Sequence, residues 1–363
     1  MTDRKPPSRW TLLSLTPAVV MAVVAVTDIL AGPSVGFLPL VSLGPAFAGL
    51  VGGWRRTALY GLAALVLCVA LGLYDGLFDE RRGYTALASV AGVTGVGVAA
   101  AVTRSRREAE LASVRSIAEV AQRVLLRPVP RVAGPLRAVV SYTSAVAEAR
   151  IGGDLYEVVS SPHGVRVIVG DVQGKGLAAV ETAALVLGAF REAAYDEATL
   201  TGLGERLERS AARELEGEKF VTAVLAEIGD EHEVVFINYG HPAPMILRGD
   251  GTVDFPQPPS YSPPLGLAGD GSEGPPPYRL SFAPGEQLLL YTDGVTEARD
   301  EEGRFYPLGE RAHLLKEPDA RRALAALRED LARHAAGPPH DDAAMLLLRY
   351  HGDEDVKPSP PRE

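Results

Sequence analysis

Four places in the chain put aspartate at the end of a strand-like run. Asp154 closes Ile151-Gly152-Gly153-Asp154 and precedes Leu-Tyr-Glu. Asp171 ends the run Val165–Asp171 and is followed by Gly174-Lys175-Gly176. Asp293 ends Gln287-Leu-Leu-Leu-Tyr-Thr-Asp293 and precedes Gly294. Asp341 and Asp342 follow His340 and lead into the apolar run Ala343–Tyr350. Strand ends are where a sheet can bring distant side chains together along one edge. Carboxylates gathered there repel one another unless cations neutralise them. Hard oxygen ligands suit Mg2+ or Mn2+, and no Cys/His ligand set argues for zinc. A lone Gly-Gly-Asp or Asp-Gly is a turn; four such sites in order are a different matter.

The elements that must position these residues occupy the larger part of a chain of 363 residues. Residues 1–104 hold 8 basic and 5 acidic side chains, and the remainder carries a net charge of -13. The acidic remainder lacks the basic face of a nucleic-acid-binding module. It is long enough for one well-buried catalytic domain. The one cysteine, Cys68, excludes an intramolecular disulfide and a Cys-based metal site.

The first part reads as a membrane region. Four apolar runs, Trp10–Leu30, Val35–Trp54, Thr57–Tyr74 and Gly83–Thr103, each approach the roughly 20 residues a crossing helix needs. Arg4, Lys5, Arg9, Arg55, Arg56, Arg104, Arg106 and Arg107 fall on one side of a four-pass topology. The positive-inside rule then places both termini in the cytoplasm, giving a multi-pass protein of the cell membrane. Asp28 reads as an interfacial residue within reach of water. Residues 105–127 read as a connector helix that Pro128 and Pro130 stop. Leu111, Val114, Ala118, Ala121 and Leu125 form a heptad-like seam, suited to a homodimeric coiled coil or to packing on the chain's own domain. Residues 255–278 are too rich in Pro and Gly for regular structure, and residues 351–363 read as a disordered tail.

The ordered segments GGDLYE, GDVQGKG, FVTAVLAEI, NYGHPAPMIL, PPLGL, LLLYTDGVTEARD and DDAAMLLL resemble the motifs of the metal-dependent protein phosphatases of the 2C type, in their bacterial SpoIIE-like branch. The match runs from about Val132 to Tyr350. It implies an α+β fold, a central β-sandwich flanked by helices (αββα), over a catalytic domain at 128–350. It also implies two Mn2+ or Mg2+ ions held by Asp154, Asp171, the Val172 carbonyl, Asp293 and Asp341, with Asp342 the alternative if the register shifts by one. Asp171 would bridge the ions, which activate water for attack on phosphoserine or phosphothreonine. The implied substrate is a phosphorylated cytoplasmic regulatory protein, such as an anti-sigma-factor antagonist.

The sequence departs from the family in places. Gln173 stands where eukaryotic members carry histidine, and Gly174-Lys175-Gly176 replaces a frequent Gly-His-Gly, so the leaving-group acid is unassigned. Lys175 reads as a solvated loop lysine, His241 as structural, and Arg150 as either a phosphate contact or a surface ion pair. Two other readings compete. One is a catalytically inactive pseudophosphatase acting as a membrane signalling and binding module. The other is a diguanylate cyclase, suggested by Arg150-Ile-Gly-Gly-Asp, in which the later aspartate motifs would have no role.

Overall fold

The computed structural model describes residues 9–32, 37–79, 81–143, 152–215, 219–229, 231–268, 273–335 and 341–351. The chain divides into two compact units, Met1–Ser113 and Val114–Glu363.

The first unit holds α1 (Arg9–Ala31), α2 (Leu43–Val51), α3 (Trp54–Tyr74) and the first part of α4 (Arg81–Leu125). Met21, Val24, Leu38, Val41, Ala64, Cys68 and Leu71 pack together inside it. On α1, Leu15, Val19, Val23 and Val26 point outward, as do Leu59, Leu62 and Val66 on α3. Helices apolar on both the packed and the outer face suit lipid better than water. Small residues bring the helices close: a Cβ added at Gly61 would stand 2.1 Å from Thr94 Cγ2.

Two of the four expected spans, α3 and the Arg81–Ser113 stretch of α4, are long and apolar enough to cross a bilayer among the described residues. The run 35–54 is not one helix. Its described part is a 3-10 segment, Leu38–Ser42, followed by the nine-residue α2. Pro45 lacks the N–H that a helix continuing from residue 41 would need, and Gly52 turns the chain into an extended conformation. Arg104 donates to the Gly49, Leu50 and Gly52 carbonyls, closing the end of α2. Asp28 is 1% exposed rather than open to water. Residues 105–125 of the expected connector are helical, within α4. Leu111 is exposed, whereas Ala121 and Leu125 pack against Val180 of the chain's own domain.

The second unit contains two antiparallel sheets. One has the order β1 (Val132–Ala133), β2 (Leu136–Thr143), β11 (Ala343–Tyr350), β10 (Gln287–Tyr291), β7 (Met245–Leu247), β8 (Val253–Asp254). The other has the order β3 (Leu155–Ser161), β4 (Gly164–Val172), β5 (Val221–Ile228), β6 (Glu233–Tyr239), β9 (Tyr278–Ser281). Their facing sides form one core, with Val167, Val169, Val224 and Phe236 against Leu136, Leu288, Leu346 and Leu348. Helices α5 (Leu177–Asp196) and α6 (Leu200–Glu214) cover the outer side of the second sheet through Leu187, Phe190, Leu203 and Leu207. On the outer side of the first sheet lie α9 (Ala320–His334) and the short helices α7 (Asp293–Thr296) and α8 (Leu308–Arg311). This is the expected helix-flanked sandwich. It explains why β4 and β11 read as mostly apolar runs: each strand is covered on both faces, so alternation disappears.

The described residues between β8 and β9 are irregular, as their composition predicts, apart from one two-way backbone pairing of Leu265 with Val221. Leu265 is fully buried there. The tail beyond His351 lies outside the described residues.

The sequence did not announce Arg166. It sits in the middle of β4, is 0% exposed, and faces the α5 side. Its Nε donates to Glu227 Oε2 at 2.7 Å, and its Nη1 donates to the Ala194 and Glu197 carbonyls. The guanidinium thus ties β4 and β5 to the end of α5. Replacing it leaves Glu227 and two carbonyls without a donor, so Arg166→Met is expected to destabilise the domain by about 3–5 kcal/mol. Chemical denaturation compared with wild type measures this; a loss below 1 kcal/mol contradicts the clamp.

Candidate functional site

Strand pairing does most of the assembly. The β3–β4 register pairs Leu155 with Gly170, so the next step outward sets Asp154 beside Asp171. Val172 N donates to Gly153 O at 3.2 Å across the same gap. A Cβ at Gly153 would lie 2.4 Å from the Val172 carbonyl oxygen, so only glycine permits this approach. On the opposite sheet, β10 and β11 pair Tyr291 with Met345, which brings Thr292–Gly294 beside Asp342–Ala344. Thr292 N donates to Ala344 O, and Ala344 N donates to Thr292 Oγ1 at 2.9 Å.

Thr292 also joins the two sheets. Its hydroxyl donates to Asp154 Oδ2 at 2.9 Å, and both residues are buried. His241 is a second tie. Its Nε2 lies 3.0 Å from the Tyr291 carbonyl and its Nδ1 lies 3.0 Å from Thr222 Oγ1. Burial lowers its pKa to about 4, so the neutral ring donates to Tyr291 and accepts from Thr222. It is a structural residue, held further by paired hydrogen bonds between Asn238 and the His241 backbone.

The acidic residues meet at this edge. Burial raises the Asp154 carboxyl well above the usual range, with the charge of Asp171 adding to the effect. Asp171 is pushed up to about 7, first by burial and then by Asp293, Asp341 and Asp342. Asp293 is raised by burial and by Glu297 and Asp341. The last two acids have different surroundings. The Asp341 side chain is 53% exposed and accepts from Lys175 Nζ at 2.6 Å. Asp342 is 3% exposed. Its carboxylate packs on Gly152, where an added Cβ would lie 1.2 Å from Oδ2, and after burial its charge is the next cause that raises the Tyr142 phenol. Its carbonyl packs on Gly294, with an added Cβ at 1.8 Å.

The structure therefore brings Asp154, Asp171, Asp293, Asp341 and Asp342 into mutual electrostatic contact, with the Val172 carbonyl beside them. Lys175 is not merely solvated but paired. Gln173 is exposed, and only its backbone is engaged, donating to Phe220 O. Arg150 and His340 lie outside the described residues. Thr292, Thr222, Tyr142 and Gln122 were missed by sequence reasoning. Thr292 stands inside a quoted motif, beside Asp293, and that adjacency was its only signal.

Among the described residues, no three Asp, Glu, His or Cys side chains stand close enough to ligate one ion as they are. The donor chemistry nonetheless fits a hard divalent cation. The donors are all oxygens, Asp154 and Asp342 are buried, and burial first, then neighbouring carboxylates, raise the proton affinities of Asp154 and Asp171. Lys175 supplies the one neighbouring counter-charge the described residues give Asp341.

The two-sheet sandwich flanked by helices, with aspartates at one edge, defines the fold of the PP2C phosphatases. The SiaA PP2C domain of Pseudomonas aeruginosa superposes with a TM-score of 0.57 at 18% identity, over 67% of this chain and 98% of that one. The RsbU and RsbW domains of Rv1364c from Mycobacterium tuberculosis superpose with a TM-score of 0.52 at 22% identity, over 60% of this chain and 61% of that one. Residues 161–351 match the family model of stage II sporulation protein E (SpoIIE), and the chain belongs to that family. It is similar to the phosphoserine phosphatase RsbU of Bacillus subtilis (strain 168), 25% identical over 215 residues, which span 56% of this chain and 61% of that protein.

The raised carboxyls have a consequence for stability. A group whose folded pKa lies above its unfolded value favours folding while it is protonated in the folded state. Asp171 thus contributes fully below about pH 4, and its contribution is lost as pH rises through about 7. The metal-free protein is expected to melt at a lower temperature at pH 8 than at pH 5, and Asp171→Asn to flatten that slope. Differential scanning fluorimetry across pH checks this; a wild-type profile already flat between pH 4 and 7 contradicts it.

Proposed function

We propose that this chain is a membrane-anchored protein serine/threonine phosphatase whose catalytic domain, residues 128–350, works with two Mg2+ or Mn2+ ions. The observation that carries the reading is the convergence of carboxylates from four separate strand ends on one edge of a PP2C-type sandwich. Asp154, Asp171, Asp293 and Asp341, with the Val172 carbonyl, are the proposed ligands. Asp341 is preferred over Asp342 because it is half-exposed and faces a cation already. Asp342, buried and packed on Gly152, is assigned to positioning.

When bound, such ions supply an activated water and compensate charge on the phosphoryl group. The chain's own part is to hold the donors. Thr292 fixes the Asp154 carboxylate from the facing sheet, Gly153 leaves the Val172 carbonyl uncovered, and Gly294 lets Asp293 approach the Asp342 backbone. Lys175 stands at the rim, where an ammonium group can orient a phosphate once Asp341 is engaged elsewhere. Residues 128–350 contain no cysteine, so a thiol phosphoenzyme is not part of the scheme.

The two crossing-length helices and the outward apolar faces of α1 and α3 support membrane anchoring. Residues 1–104 are proposed as the multi-pass anchor with both termini cytoplasmic, 105–127 as the connector and a candidate homodimer contact, and 351–363 as a tail. The RsbU-like character supports a phosphorylated cytoplasmic regulatory protein as substrate, in the class of anti-sigma-factor antagonists.

Full-length protein in detergent micelles is expected to release phosphate from a phosphoserine peptide and from p-nitrophenyl phosphate with Mn2+. EDTA should abolish both reactions, and Asp171→Asn should reduce them to the buffer rate. Turnover that survives EDTA sinks the metal mechanism. Mn2+ uptake without any turnover favours an inactive binding module.

A further inference from the structure

Gln122, near the end of α4, is a buried polar residue that the phosphatase reading does not use. It is 8% exposed. Its Nε2 donates to Tyr142 Oη at 2.9 Å and to the Gly152 carbonyl at 3.2 Å. Both acceptors lead to the acidic edge within one step. Gly152 lies two residues before Asp154 and packs directly on the Asp342 carboxylate. Tyr142, at the end of β2, lies within the field of that same carboxylate.

Asp342 is the joint where these contacts meet the site. Its side chain abuts Gly152 and its carbonyl abuts Gly294, next to Asp293. Its N–H donates to Asp341 Oδ1 at 2.9 Å. A shift of Asp342 therefore displaces three of the acid-bearing segments together. The end of α4 is anchored on the same side by Arg191, whose Nη2 donates to Leu125 O at 2.8 Å while its Nε donates to Glu157 of the first motif.

We infer that Gln122 is a positioning residue for the metal centre: by holding the Gly152 carbonyl and Tyr142, it sets the spacing of the Asp154, Asp293 and Asp341 segments. Gln122 touches neither substrate nor ion. The inference rests on the proposed metal reading, and it makes the placement of the α4 end a determinant of metal affinity. Partners that orient ligands in this way typically contribute about 10–100-fold to metal binding.

The test uses the full-length chain in detergent micelles, stripped of metal and titrated with Mn2+, with free Mn2+ read by electron paramagnetic resonance. Gln122→Met keeps the side-chain length and removes both donors. It is expected to weaken Mn2+ binding about tenfold and to raise the Mn2+ concentration needed for half-maximal phosphate release, with KM for the phosphopeptide unchanged. Tyr142→Phe, which keeps the ring, is expected to give a similar loss, and Gln122→Met added to it should cost less than about twofold more, since the bond between them is already broken. If Gln122→Met does not fold, Tyr142→Phe carries the same measurement. A lower melting temperature with unaltered Mn2+ affinity, in variants whose wild type binds Mn2+ normally, overturns the inference and leaves the phosphatase reading standing. Wild type that takes up no Mn2+ overturns both.

Discussion

Like charges held in a poorly solvated place constrain everything else in the catalytic domain. Five aspartates lie within one another's field, and the two on the β3–β4 pair are largely withdrawn from water. Such a group would relax apart in a pliable scaffold. Here it is held by backbone pairing: Asp154 and Asp171 are fixed by the β3–β4 ladder, and the Thr292 and Asp342 segments by the β10–β11 ladder. The apolar core between the sheets supplies the free energy that keeps the ladders in register. The acids sit at its edge, where a cation can reach them.

Polar ties between the sheets are few and short. Thr292 reaches across to Asp154, and His241 links β5 to the end of β10. Neutral groups make these links, which avoids adding another charge to the interior. One charged tie also spans the sheets, Arg248 after β7 donating to the Ser281 carbonyl of β9, while others lie on the outer faces. Arg166 stitches β4 to α5, and Arg349, 8% exposed, collects the Leu315, Glu317 and Pro318 carbonyls near the start of α9. Each guanidinium replaces water for several carbonyls at once, although burial still lowers the Arg349 pKa.

Much of this fold was legible in the residues. The runs of β4, β10 and β11 are apolar and flanked by turn residues, and their aspartates mark the strand ends. A sheet covered on both faces is visible in that pattern, and the order of the motifs supplies the sandwich. The membrane side was legible as hydropathy but not as geometry. Val35–Trp54 has the composition of a span, yet Pro45 and the Gly52–Gly53 pair break it. Polar residues that act through one partner left no pattern. Gln122 looks like any solvent-facing residue of an amphipathic helix, and Arg166 looks like an interruption of a strand. Their partners lie 20 or more positions away, and no local periodicity encodes such a pairing.

The adjacency of Asp341 and Asp342 illustrates how little sequence separates a ligand from a support. Successive residues entering a strand project to opposite sides. One of the two must face the open edge and the other the interior, and the run Ala343–Tyr350 decides which by the face its side chains choose. The buried one, Asp342, takes up three contacts that only glycine and a phenol allow: Gly152, Gly294 and Tyr142. Alanine at either glycine would push its Cβ into the Asp342 segment, so the glycines beside the acids do more than form turns. They remove the side chains that would keep the carboxylate-bearing segments apart, and the close packing of those segments follows from that absence.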